Sequence, residues 1–154
     1  MRFLGSIIAI VAAVCAVSCS SKDKMTFTEA KDSDFKAGQV WSYKTRPNEA
    51  ASTLTVCKIE VAGKLGTVVH VSIDGVKVKS PQSKGGEANT IAHLPFSEAA
   101  FRQSTSKLIQ EGVPLPNYTE GYATWRKAVE DGKGGAWTIT VAEAIASMES
   151  VLNK

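Results

Sequence analysis

The hydrophobic rhythm of the chain changes twice. From Phe3 to Val17 the residues are uncharged and mostly apolar. From about Gln39 to Phe96 apolar and polar residues alternate with the period of two expected of half-buried strands. Beyond Ser97 the apolar residues recur at spacings of three, four and seven, as on one face of a helix.

In the alternating half, Gln39 to Thr45 predicts a strand with Trp41 and Tyr43 on one face, followed by a turn at Arg46-Pro47-Asn48-Glu49. Thr53 to Val61 predicts a second strand, with Cys57, Ile59 and Val61 on its apolar side. Ala62-Gly63-Lys64 turns the chain. Thr67 to Ile73 predicts a third, with Val69, Val71 and Ile73 facing the core and Val68, His70 and Ser72 facing away. Asp74-Gly75 is either a tight hairpin or a bulge in one long strand. Val76 and Val78 then alternate with Lys77 and Lys79, a pattern of lysine-guarded edge strands. Ser80 to Asn89 holds the densest run of breakers and predicts a surface loop. Thr90 to Phe96 is extended.

In the helical half, Ser97 predicts the cap of a helix over Glu98 to Glu111, with Phe101 and Leu108 on one face and Gly112 as its stop. Pro114 and Pro116 stiffen a connector. Thr119 predicts the cap of a second helix striped by Tyr122, Trp125 and Val129 and ended by Gly132. Trp137 to Thr140 reads as a short strand. The last helix carries Val141, Ala144, Ile145, Met148, Val151 and Leu152 at helical spacing, with a capping box from Thr140 and Glu143. Strands first and helices later predict an α+β fold: a mostly antiparallel sheet from the N-terminal half, with about three helices from the C-terminal half packed on one face.

The leading apolar run is too short for a spanning helix, which needs roughly 20 residues. It follows a positive start at Arg2 and suits the apolar region of an export signal. The run ends in Ala16-Val17-Ser18-Cys19 and is followed by polar Ser20-Ser21-Lys22-Asp23. This tetrad resembles the lipobox of bacterial lipoproteins. The resemblance implies cleavage after Ser18, a diacylglycerol thioether on Cys19 and an acyl chain such as palmitate on the new N-terminus. Two or more chains suffice for stable anchoring where one does not. Ser20, in the place that follows the lipidated cysteine, implies outer-membrane sorting in a Gram-negative envelope. The competing reading is a secreted soluble protein cut at the same bond, because Ala16 and Ser18 also suit a general signal peptidase.

The expected organisation is therefore a signal peptide over residues 1–18, Cys19 and a polar tether over 19–34, and a single α+β domain over 35–154. A flexible tether of that length reaches on the order of 20 Å. Cys15 leaves with the leader and Cys19 is capped, so Cys57 stands alone and no disulfide staples the domain. The stretch Ala37 to Pro47, with His93-Leu94-Pro95-Phe96-Ser97, is similar to short bacterial proteins of unknown activity. That likeness covers most of Phe35 to Leu152 and implies nothing about mechanism.

Charge and candidate chemistry narrow the function classes. Eighteen basic against 15 acidic residues leave +3 formally. The basic residues Arg102, Lys107, Arg126, Lys127 and Lys133 are too dispersed for a nucleic-acid face. Ser-x-x-Lys occurs at Ser21/Lys24, Ser33/Lys36 and Ser104/Lys107, without the Ser-Asp-Asn and Lys-Thr-Gly elements that accompany it in penicillin-recognising enzymes. Gly132-Lys133-Gly134-Gly135 lacks the spacing of a phosphate loop. Cys57, His70 and His93 could supply three zinc ligands. The alternation turns His70 away from the apolar side and Cys57 towards it, so a surface histidine and a buried structural thiol are expected. Trp41, Tyr43, Tyr118, Tyr122, Trp125 and Trp137 are expected in the core, with stacking on glycan as the alternative.

These residues predict no catalytic, metal or cofactor site. The expected role is a lipid-anchored, periplasm-facing, non-catalytic binding module, working through the Ser80–Asn89 loop or the rim between sheet and helices. A narrower form is an inhibitor or immunity protein against an envelope hydrolase. A glycan-binding envelope protein is the other alternative. The expected partners are the membrane, through the lipid, and an envelope protein.

Overall fold

The computed structural model describes residues 24–154. Ser18, Cys19, Cys15 and Ser21, and with them the signal, the lipobox and the first Ser-x-x-Lys match, lie outside that range. The described residues form six strands and three helices: β1 (Phe27–Glu29), β2 (Val40–Tyr43), β3 (Thr53–Ala62), β4 (Thr67–Lys79), β5 (Glu87–Ser97), α1 (Glu98–Ser104), β6 (Thr105–Gln110), α2 (Thr119–Glu130) and α3 (Val141–Leu152). The sheet runs β5-β4-β3-β2-β6, with β1 also on β3, and every strand pair is antiparallel. This is the α+β class that the two rhythms predict.

The helices divide between the two faces rather than sharing one. Val69, Val71 and Ile73 of β4 pack with Phe101 of α1 and Ala144 and Ile145 of α3 in the larger core. Val68 points the other way and joins Ala62, Trp125 and Val129 in a smaller core under α2. The sheet is thus buried on both sides, although the alternation of β4 marks just one of them.

A bulge makes β3 serve both faces. Val56 pairs with Val71 and Lys58 with His70, so Cys57 is an extra residue with no partner on β4. Leu54 and Val56 face the larger core before the bulge, and Ile59 packs against it afterwards. Parity flips at Cys57, and Glu60 and Ala62 are delivered to the α2 side. The simple alternation of Cys57, Ile59 and Val61 misses this switch.

Asp74-Gly75 is the bulge rather than the hairpin. β4 continues to Lys79, with a register break between Asp74 and Val78. Gly75 has φ of 76°, and a Cβ there would sit 3.1 Å from Ser52 Cα, so both backbone and space call for glycine. Val76 and Val78 are buried while Lys77 and Lys79 are exposed.

Phe27–Glu29, within the stretch read as a tether, pairs with Glu60–Ala62, so the ordered domain starts ahead of Phe35. The helix expected to Glu111 stops at Ser104, and Thr105–Gln110 pairs instead with β2. The open edge of β2 needs a partner, and Ser104-Thr105-Ser106 is poor helix material. The Ser104 hydroxyl donates to Ala100 O (2.8 Å) and accepts from Val141 N (3.0 Å), tying the end of α1 to the start of α3. Thr119 is the first helical residue rather than the cap, and its hydroxyl donates to Asn117. Trp137 forms an isolated bridge to Phe96 in place of a strand. Ser97 and the Thr140/Glu143 capping box stand where they were expected. On α3, Val151 is exposed although its spacing places it on the apolar stripe.

Candidate functional site

The parity switch at Cys57 and the docking of α2 together create a buried polar cluster. Glu60 arrives from β3, His70 from β4, His93 from β5, and Tyr122 and Trp125 from α2. His70, expected at the surface, is fully buried, because α2 covers the face that its strand turns away from the larger core. The histidines meet: His70 Nδ1 lies 2.9 Å from His93 Nε2, with the rings stacked at 17° and 5.2 Å apart. Trp125 and Tyr122 meet His70 edge-on at 4.5 and 5.0 Å.

The neighbours set the tautomers. Glu60 Oε1 lies 3.2 Å from His70 Nε2, so the neutral ring carries its proton on Nε2, towards the carboxylate. The oxygen is off the N–H axis, and Nε2 has no well-formed hydrogen bond among the described residues. Nδ1 of His70 must then accept, and His93 donates to it from Nε2. The Tyr122 hydroxyl lies 2.8 and 3.0 Å from the two oxygens of Glu60, donating to the nearer. Arg126 Nη1 donates to the Tyr122 oxygen (3.2 Å), and Lys58 Nζ stands 3.7 Å from Glu60 Oε2.

Burial dominates the electrostatics. It pushes the pKa of His70 down to about 3, with His93 and Lys58 acting in the same direction, and that of His93 down to about 4. Burial raises the Tyr122 hydroxyl, and its hydrogen bond to Glu60 adds to this. Both rings are therefore neutral at pH 7. Cys57 is pushed up to about 11 by burial, so it is a thiol there too. Its Sγ donates to Thr55 O rather than reaching either histidine. No grouping of three or more His, Cys, Asp or Glu among the described residues has the arrangement to hold a metal ion.

Gly121 lets α2 approach. A Cβ there would stand 2.7 Å from His93 Cβ. Gly121→Ala is therefore expected to destabilise the domain by about 1–3 kcal/mol, although alanine is the better helix former by about 1 kcal/mol. Urea unfolding checks the sign: a stabilised variant would mean that α2 has room to shift.

Beside this cluster the sheet has a gap. β4 occupies one edge of β3. On the other edge β2 pairs with Leu54 and Thr55, and β1 with Glu60 to Ala62. Among the described residues no strand lies beside Cys57, Lys58 and Ile59 there, and a cleft of about 830 Å³ opens along them. Nine residues between Phe27 and Ala37 line it as well, together with Tyr118 and Arg126. Its cations are Lys31, Lys36, Lys58 and Arg126, against Glu29 and Glu60. Lys31 and Lys36 are exposed and make no ion pair among the described residues. Arg126 stacks on Phe27, its guanidinium carbon 4.2 Å from the ring centroid.

The remaining candidates are accounted for individually. Ser33 donates to Glu98 (2.8 Å) and, like Lys36, lines the cleft wall. Ser104 and Lys107 are separated by the end of α1 and share no helical turn. Trp41 and Trp137 pack on the larger core, Tyr43 is buried in it, and Tyr118 is half-buried beside Tyr122. Lys133 and Gly134 donate their amides to Ala128 O, so the glycine-rich turn wraps the end of α2. No protein-family model matches the chain, and no curated protein or solved structure is detectably similar to it.

Proposed function

We propose that the chain is a lipid-anchored protein of a bacterial envelope, held through Cys19 and facing the periplasm. Its domain is a non-catalytic binding module whose working surface is the cleft along Cys57–Ile59. The occupant is a carboxylate-bearing segment of an envelope protein. Where that protein is a hydrolase, the module is its inhibitor.

The observation that carries the binding reading is the composition of the cleft. Its volume lies within the roughly 300–1,000 Å³ of ordinary ligand pockets. Of its four cations, Lys58 is paired with Glu60 and Arg126 with Glu130, which leaves Lys31 and Lys36 against Glu29. The uncompensated charge is positive and sits on the rim, where it steers an acidic partner. A non-catalytic role is supported by the hydrogen bonding of the histidines, which goes to each other and to no Ser, Thr or Cys side chain among the described residues. The anchor is supported by Arg2, the apolar run and the Ala16-Val17-Ser18-Cys19 tetrad. Tethering also raises the effective concentration of the cleft at its partner.

Two experiments divide the reading. Cys19→Ala is expected to abolish lipid labelling and move the protein from membranes to the soluble fraction; unchanged membrane retention would contradict the anchor. The double charge reversal Lys31→Glu/Lys36→Glu touches exposed side chains alone. It is expected to cut at least tenfold the amount of partner recovered after crosslinking in intact envelopes. Unchanged recovery would contradict the cleft as the binding surface.

A further inference from the structure

We propose that α2 is a proton-sensitive flap: protons entering the His93–His70 pair release α2 from the sheet, and open the side of the cleft, while the α3 side of the domain stays folded. The regulatory consequence rests on the cleft being the binding surface; the release of α2 does not.

With His93 donating from Nε2 and His70 accepting at Nδ1, one proton can be added at His93 Nδ1 without breaking the pair. A second has no place. It would put an N–H on His70 Nδ1 facing the N–H of His93 across 2.9 Å, between cationic rings 5.2 Å apart. The rings must separate. They project side by side from the paired strands β4 and β5, and what confines them there is α2, through Gly121 against His93 and through Tyr122 and Trp125 against His70.

The surrounding charges leave this demand in place. From β3, Glu60 faces His70 off-axis and is already engaged by the Tyr122 hydroxyl, while Lys58 adds a positive charge beside it. From α2, Arg126 adds another through Tyr122. Neutral rings satisfy this arrangement and doubly protonated ones do not, in keeping with the low pKa values of both histidines.

α2 is also the helix with least to hold it. It buries Trp125 and Val129 in the smaller core, and its N-cap, Tyr118, makes no side-chain capping bond. α3 buries Val141, Ala144 and Ile145 in the larger core and starts in a complete capping box. Regions with few buried apolar contacts open first. Arg126 on α2 and Tyr118 just before it line the cleft, so release of α2 removes that side while Lys58 and Glu60 stay on β3.

Hydrogen exchange by mass spectrometry on the full chain in detergent tests this, with rates corrected for the intrinsic effect of pH. Between pH 7 and pH 4.5, protection in residues 119–130 is expected to fall at least tenfold. Protection in residues 141–152 is expected to stay at least tenfold higher than in residues 119–130 at pH 4.5, because α3 opens with the domain as a whole. In His93→Gln, which keeps an N–H donor for His70 but does not titrate, the loss is expected to move down by at least half a pH unit. Equal protection in the two helices at pH 4.5, undiminished protection of α2 at that pH, or an unshifted transition in His93→Gln would each overturn the proposal. Lys31→Glu/Lys36→Glu is expected to leave this exchange pattern unchanged while losing partner, so failure of the flap and failure of the cleft are read separately.

Discussion

Replacing Arg46 with alanine is expected to destabilise the domain by about 3 kcal/mol, within the range for breaking a buried ion pair from one side. The second half of β4 has β5 on one edge but runs past the start of β3, so its other edge pairs with no strand among the described residues. Side chains seal it. Glu49 accepts from Lys77 N (2.7 Å) and Glu149 from Lys79 N (2.7 Å). Arg46 donates to Lys77 O (3.2 Å) and Asn153 Nδ2 to Lys79 O (2.9 Å). Arg46 also pairs with both carboxylates.

Glu49 is 2% exposed. Burial alone would raise its pKa, but Arg46 and the Lys77 amide together hold it below the usual carboxylate range. Without Arg46, a buried charge keeps one backbone donor and loses its counter-ion. Urea unfolding at pH 7 measures the loss. Arg46→Ala/Glu49→Gln should recover part of it, because the stranded charge is gone. A loss below about 1 kcal/mol would mean that the edge is not held this way.

Stability should fall by about 3 kcal/mol between pH 7 and pH 5 because of the two histidines. Their pKa values are lower folded (about 3 and about 4) than the 6.5 of a free histidine. Below pH 6.5 the unfolded chain takes up protons that the folded chain refuses. Stability that is fully present above 6.5 is thus lost progressively as pH falls towards 4 and then 3, at up to about 1.4 kcal/mol per pH unit for each ring. The depressed carboxylates Glu49, Glu143 and Glu149 lose their contribution at lower pH, below the ordinary carboxylate value of 4.5. The interval from 6.5 to 5 therefore isolates the histidines. Urea unfolding at several pH values should show the slope, and His93→Gln should roughly halve it. A flat profile above pH 5 would mean that the pair is not buried as a neutral unit.

The sequence marks the strands β2 to β5, the capping box at Thr140 and the fold class through local periodicity, which survives because each of these elements turns an apolar face to the larger core. It loses what depends on two distant segments meeting. The bulge at Cys57 is a relation between β3 and β4, so no pattern within 53–62 displays it. β6 is hidden because Phe101 and Leu108 happen to fall seven apart, whereas the edge of β2 decides the outcome. The candidate site is lost for the same reason. The alternation does place His70 opposite Val69 and Val71, but treats that side as solvent. Only the docking of α2 makes it an interior. One local signal was present: Gly121, a glycine inside a helix, which marks a close approach. The cleft escapes notice because much of its lining, within residues 27–37, has the polar composition of a tether.

Site-specific photocrosslinking in intact envelopes tests the cleft as the binding surface most directly. A photoreactive residue is placed at Ala37, which lines the cleft and carries no charge, or at Lys84, in the exposed loop after β4. A discrete crosslinked adduct is expected from position 37 and none from position 84. Adducts from position 84 alone, or from neither position, would contradict the cleft as that surface.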